Sequence, residues 1–145
     1  MVCTFFGHKD APSEVKEKLK IELLHLLEKE SIRFYIGNNG SFDYYAQSVA
    51  YEISKSNPDA NAIVVLSHLN EKIISGLQID TVFPEGLEKT PPRFAISKRN
   101  DWMIKQADVA IVFVKNKLTN SYKWLTKAKK KGLTVINLAD ETKSR

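Results

Sequence analysis

The sequence predicts an α/β domain: a three-layer, Rossmann-like arrangement on a mainly parallel sheet of about five strands. Two observations carry this. Short β-rich runs alternate with longer stretches of helical periodicity along the whole chain, and such alternation builds parallel sheets through crossover helices. The runs at 62–66 and 109–114 are almost wholly apolar, as suits strands covered on both faces. A chain of 145 residues is long enough for one domain with its own core.

The elements follow in order. Residues 2–6 are an apolar run closed by Gly7 and read as the first strand. Pro12 fits the first turn of a helix, and Val15, Leu19, Leu23, Leu26 and Leu27 recur at helical spacing up to about residue 30. Residues 33–36 form a second strand, ended by Gly37-Asn38-Asn39-Gly40. Ser41 is placed to cap the next helix. Phe42, Ala46, Val49, Ala50 and Ile53 mark that helix's buried stripe, and Asn57-Pro58-Asp59 breaks it. A third strand covers 62–66. Residues 67–80 are less regular and read as a surface loop, with a short extended piece at 81–83 before Pro84-Glu85-Gly86. A helix starts at Pro91 or Pro92 and runs to about residue 106. A strand at 109–114, a helix at 122–131 stopped by Gly132, and a strand at 133–138 complete the series. The domain is expected over 1–139, with a polar tail at 140–145.

Composition narrows the function classes. Hydrophobic residues make up 43% and charged residues 27% of the chain, a globular and not a disordered composition. No apolar run approaches the ~20 residues of a membrane helix. The N-terminus lacks the basic lead and apolar segment of a signal peptide and reads as a strand. Cys3 is the only cysteine, so no intrachain disulfide is expected and a cytoplasmic location fits. His8, His25 and His68 have no metal-ligand spacing; neither a metal nor a resident cofactor is expected. The net charge of +5 and pI near 9.2 suit phosphate-bearing partners, although nucleic-acid binding needs a clustered patch. Seven lysines lie between Lys115 and Lys131. Those ending the last helix complement its dipole, and interleaved Tyr122 and Trp124 keep a nucleic-acid surface as the alternative.

The commonest wiring for this order places the first strand centrally, the second and third to one side and the last two to the other. Ligands of such sheets sit where the order reverses, outside the carboxyl ends of the strands. That rule selects Gly7, His8, Lys9 and Asp10 after the first strand. It selects Gly37, Asn38, Asn39, Gly40, Ser41 and Asp43 after the second. It selects the segment 115–121, with Thr119, Asn120 and Ser121, after the fifth apolar run. Glycines admit a ligand close to the backbone, and a helix N-terminus offers unpaired N–H groups to an anion. The same residues also serve ordinary turns and caps. Asp43 either complements the helix dipole or binds a ribose hydroxyl. His8 and Asp10 form a His–X–Asp pair, but the sequence fixes neither a nucleophile nor a third partner.

The helix after Pro92 is the sharper clue. At 100° per residue, Ser97, Lys98, Asp101 and Lys105 share a polar side, while Arg99 and Asn100 fall inside the apolar arc and Arg93 shares the line of Asn100. Charges facing a core are costly unless paired. Arg93 and Arg99 are therefore expected to meet a bound phosphate, or a carboxylate such as Asp10, Asp43 or Glu85.

Four blocks carry a family resemblance. Phe6-Gly7-His8-Lys9-Asp10 resembles an FGHRD-type opening, and residues 37–43 resemble a GNxGxFD loop. Pro84-Glu85-Gly86 followed by residues 93–104 resembles a PEG…RFAIxxRNxWMI block, and residues 132–138 resemble the closing strand. Over nearly its whole length the chain resembles the YspA/YpsA-related branch of the SLOG superfamily. The resemblance implies a Rossmann-like fold that binds nucleotides or their derivatives, with Gly7, Gly37, Gly40, Asp43, Arg93, Arg99 and Asn100 lining the pocket. Wider relatives include LOG phosphoribohydrolases and DprA/Smf DNA-processing proteins, and some members are implicated in nucleotide sensing in bacterial conflict systems. The chain departs from the pattern after the penultimate strand. There Lys117-Leu118-Thr119-Asn120-Ser121 stands in place of a Gly-Gly phosphate loop, and the Pro-Gly-Gly-x-Gly-Thr hydrolase signature is missing. Binding or sensing of a nucleotide-like small molecule is thus the first expectation. An N-glycosidic hydrolase using Glu85 or Asp10, and a DNA-binding module, are the alternatives. Tyr44, Tyr45 and Tyr51 offer aromatic surface for a homodimer.

Overall fold

The structure is a computed structural model that describes residues 1–140. The remainder of the expected polar tail, 141–145, lies outside the described residues. Six strands form one sheet: β1 (Val2–Gly7), β2 (Ile32–Ile36), β3 (Ala60–Val65), β4 (Asp80–Val82), β5 (Val109–Phe113) and β6 (Thr134–Asn137). Their spatial order is β4-β3-β2-β1-β5-β6, and every neighbouring pair is parallel. Cys3 aligns with Phe34 of β2 on one side and with Val109 of β5 on the other. The chain therefore builds outward from β1 to β4, then returns across β1 to add β5 and β6. The reversal lies between β1 and β5, as the sequence wiring anticipates.

The sheet has six strands, not about five. The short extended piece expected at 81–83 is the edge strand β4, paired to β3 from Ile63 opposite Asp80 to Val65 opposite Val82. It spans three residues that are exposed or half-buried, too few for alternation to mark it in the sequence.

Four α-helices cover the sheet: α1 (Val15–Leu27), α2 (Ser41–Ser56), α3 (Ala95–Gln106) and α4 (Asn120–Lys130). Side chains alternate across each strand, and the core divides accordingly. Cys3, Phe5, Phe34, Ile111 and Phe113 pack with α1 and α2. Phe6, Tyr35, Ala110 and Val112 pack with Met103 and Ile104 of α3 and Trp124, Leu125 and Ala128 of α4. The result is three layers with two separate apolar cores. Both near-continuous apolar runs lie in strands covered on both faces, β3 and β5.

Helix details follow local chemistry. Val15, Leu19, Leu23 and Leu27 are buried in α1, while Leu26 is only half-buried at the rim of the stripe. All five residues of the stripe read for α2 are buried. Ser41 is the first residue of α2 and not its cap; the cap position is Gly40, at φ 97°, a conformation that favours glycine. Ahead of α3 the chain makes a separate 3-10 turn, Pro92–Phe94. Tyr44 is exposed and meets Tyr45 edge-on at 5.5 Å, and Lys55 lies 4.8 Å over the Tyr51 ring. No helix among the described residues is long and apolar enough to cross a membrane.

Candidate functional site

The loops after β1 and β5 flank the reversal point. Between them and the start of α3 lies a cavity of about 690 Å³. Gly7, His8 and Asp10 reach it from the first loop, Asn39 and Asp43 from the second, Arg99 and Asn100 from α3, and Thr119, Asn120 and Ser121 from the start of α4. These ten residues, all named from the sequence, thus share one cavity. A larger groove of about 820 Å³ lies along the outer side of α3, but the polar groups of the strand ends converge on the smaller one.

Arg99 is the chemical centre. It is 1% exposed and the largest fully buried side chain of the protein. Its Nε donates to Asn100 Oδ1 at 2.8 Å, and one terminal nitrogen donates to the Val65 carbonyl at 3.0 Å. Those bonds engage two of its five N–H groups. Among the described residues no carboxylate lies within ion-pair distance, so the anticipated direct Arg–carboxylate pair does not form. Asp43 and Glu71 act on Arg99 through space: burial pulls its guanidinium below the usual range, and both carboxylates oppose that pull.

Asp43 is the counterpart. Its Oδ2 accepts the Asn39 N–H at 2.9 Å, which ties the loop back onto the third residue of α2. Burial raises its carboxyl to about 6, although Arg99 and the Asn39 N–H both favour the charged form. Asp43 lies in the first turn of α2 and also lines the cavity.

The glycines do structural work. A Cβ on Gly7 would fall 2.3 Å from the Phe42 ring, and one on Gly37 would fall 2.6 Å from Asp43 Oδ2. Gly40 sits against Lys9, whose carbonyl accepts the Ser41 N–H at 2.8 Å. These glycines let α2 start directly under the first loop; Gly37 and Gly40 do not line the cavity. Nor does Asn38. Its side chain donates to the Lys72 carbonyl at 2.7 Å and accepts the Ile74 N–H at 2.9 Å. Gln47, wholly buried, joins Asn38 in this latch on the 72–75 loop. Gln47 was not singled out in the sequence. The available signal was an amide one turn beyond Asp43, beside an apolar stripe.

Two further residues lie elsewhere. Arg93 is exposed, its guanidinium 4.8 Å from the Phe94 ring. Arg93 lies in the 3-10 turn ahead of α3 and not on the helix whose buried face carries Asn100. Glu85 is exposed and lines the outer groove instead. Asp10 is exposed at the mouth of the cavity. His8 accepts the Lys115 N–H on Nε2 at 2.8 Å. That lone pair is occupied, and its bond joins the loops after β1 and β5.

The start of α4 is open. Thr119 occupies the cap position without capping; its hydroxyl donates backward to the Asn116 carbonyl at 2.8 Å. The first turn carries no acidic side chain. The Tyr122 N–H donates to the Thr119 carbonyl at 3.2 Å, while the N–H groups of Asn120 and Ser121 and the partial positive charge of the helix start remain available beside the cavity. Lys9 and Lys123 add cationic side chains to the lining. Among the described residues no cluster of His, Cys, Asp or Glu is arranged to hold a metal. The chain matches no family model, and no curated protein matches it.

Proposed function

We propose that the strand-end cavity binds a nucleotide or nucleotide-derived anion. The observation that carries this reading is Arg99, a buried guanidinium with unused N–H groups lining the same cavity as the uncapped start of α4. A phosphate there accepts from Arg99 and from the first N–H groups of α4. Asp43 accepts from a ribose hydroxyl, and Asn100 orients the sugar or base. Phe6, Ile96, Met103 and Trp124 supply apolar lining for the uncharged part of the ligand. The position, at the reversal of strand order, is where such sheets bind ligands.

Catalysis has less support. The two carboxylates considered as acid or base, Glu85 and Asp10, do not share a site, and His8 has its Nε2 engaged.

Thermal unfolding with a panel of nucleotides, including ADP-ribose and cyclic nucleotides, tests the proposal while turnover is followed. A ligand at a hundred times its Kd adds about 2.7 kcal/mol of stability. Arg99→Met keeps most of the volume and is expected to abolish the shift while the protein remains folded. No shift of the native protein with any nucleotide sinks the reading; release of free base turns it toward a hydrolase.

A further inference from the structure

The second cavity is a separate feature on the α3/α4 side of the sheet. Lys98, Asp101, Trp102 and Lys105 of α3 line it, with the 84–90 segment on one side and Lys127, Lys130 and Lys131 of α4 on the other. These α3 positions fall at i, i+3, i+4 and i+7, one outward stripe about 10 Å long.

Its charge is unbalanced. Residues 91–140 hold eleven lysines and arginines against three acids, whereas residues 1–90 hold nine against thirteen. Among the described residues, Lys127 pairs with Asp101 at 3.2 Å, while Lys98, Lys105, Lys130 and Lys131 have no ion pair. Helix dipoles account for Lys105 and Lys130, which lie at helix C-termini. They do not account for Lys98, in the first turn of α3, where a cation is unfavourable.

The groove is apolar as well as basic. Pro84, Leu87, Trp102 and Ile104 contribute to its lining. Trp102 packs against Tyr35 at 4.9 Å between ring centres and is only half-buried.

We propose that this groove docks an acidic segment of a partner polypeptide, with an apolar side chain seated at Trp102 and Ile104 and carboxylates meeting Lys98, Lys105 and Lys130. Charge complementarity selects the acidic partner. The apolar lining selects a peptide over a phosphate backbone. So does the lack of any arginine in the lining.

The test is an array of immobilised acidic peptides that place Leu, Ile or Phe between Asp or Glu residues at every spacing from one to four, with an oligo-dT strand alongside. The full chain is expected to retain a subset of the peptides. Lys105→Glu/Lys130→Glu is expected to weaken binding by about tenfold or more, and Trp102→Ala by a similar factor. Binding should also fall when Asp and Glu in the peptide become Asn and Gln, or when its apolar residue becomes Ser. Both lysines are exposed, so the double variant is expected to keep its melting temperature, and it serves as the reference if Trp102→Ala loses its fold. The proposal is overturned if no peptide is retained, if retention is indifferent to the double variant, or if the oligonucleotide alone binds and loses binding in that variant.

Discussion

At Gly7 a single missing methyl group decides how the site is assembled. The Phe42 ring occupies the space a Cβ would take, and Phe42 is itself 1% exposed. Burying that ring is worth about 2–3 kcal/mol. Gly7→Ala is expected to cost about 2 kcal/mol or more through overpacking, read as a lower midpoint in urea; an unchanged midpoint would show that the ring can move aside. Asp43 gives the second prediction at this scale. Its carboxyl sits near 6 in the fold against 3.8 in a free chain, so the native state holds a proton that the unfolded chain has already lost between those values. The stabilisation from this group is complete below pH 3.8 and is lost as pH rises through 6. At pH 7.5 the deficit is about 3 kcal/mol. Asp43→Asn is therefore expected to stabilise the protein by about 1–2 kcal/mol at pH 7.5 and to change little near pH 4. Equal effects at both values would contradict the burial argument.

Among the elements, α4 is the most informative. Its cap residue, Thr119, spends its hydroxyl on the preceding turn and leaves the helix start open. Thr119→Asp supplies both a cap and a negative charge and is expected to raise stability by about 0.5–1 kcal/mol. The same change places a carboxylate where the proposed phosphate sits, so the nucleotide-induced thermal shift should disappear. A variant that is more stable and still binds would remove α4 from the site. Helix α3 shows the opposite economy. It buries Arg99 and Asn100 among apolar neighbours, while Arg93 lies in the 3-10 turn ahead of it and is exposed.

At the scale of the molecule, parallel order places β1 and β2 inside the sheet and β4 and β6 at its edges. Central strands open only with much of the fold, whereas edges open locally. Amide exchange is expected to be slowest in β1, β2 and β5 and faster in β4 and β6. Uniform rates across the sheet would argue against two cores that share the central strands. The charge difference between the two parts of the chain also belongs to this scale. It becomes a groove only because α3 and α4 lie on the same face.

Strand–helix alternation, the buried stripes of α1 and α2, and wiring that reverses between β1 and β5 are all legible in the residues alone. Each of these rests on local periodicity or on rules of chain connection that need no coordinates. Arg99 and Asn100 are marked there too, because polar residues inside an apolar helical arc are visible in one dimension. Other features depend on which segments meet in space. A three-residue strand pairs only because β3 offers an edge. Arg93 falls in a 3-10 turn ahead of α3 and not on the helix itself. Gly37, Gly40 and Asn38 hold loops together, since what a small or amide side chain touches depends on which segments meet it. Burial and the through-space balance among Asp43, Arg99 and Glu71 arise only once distant segments share one low-dielectric site.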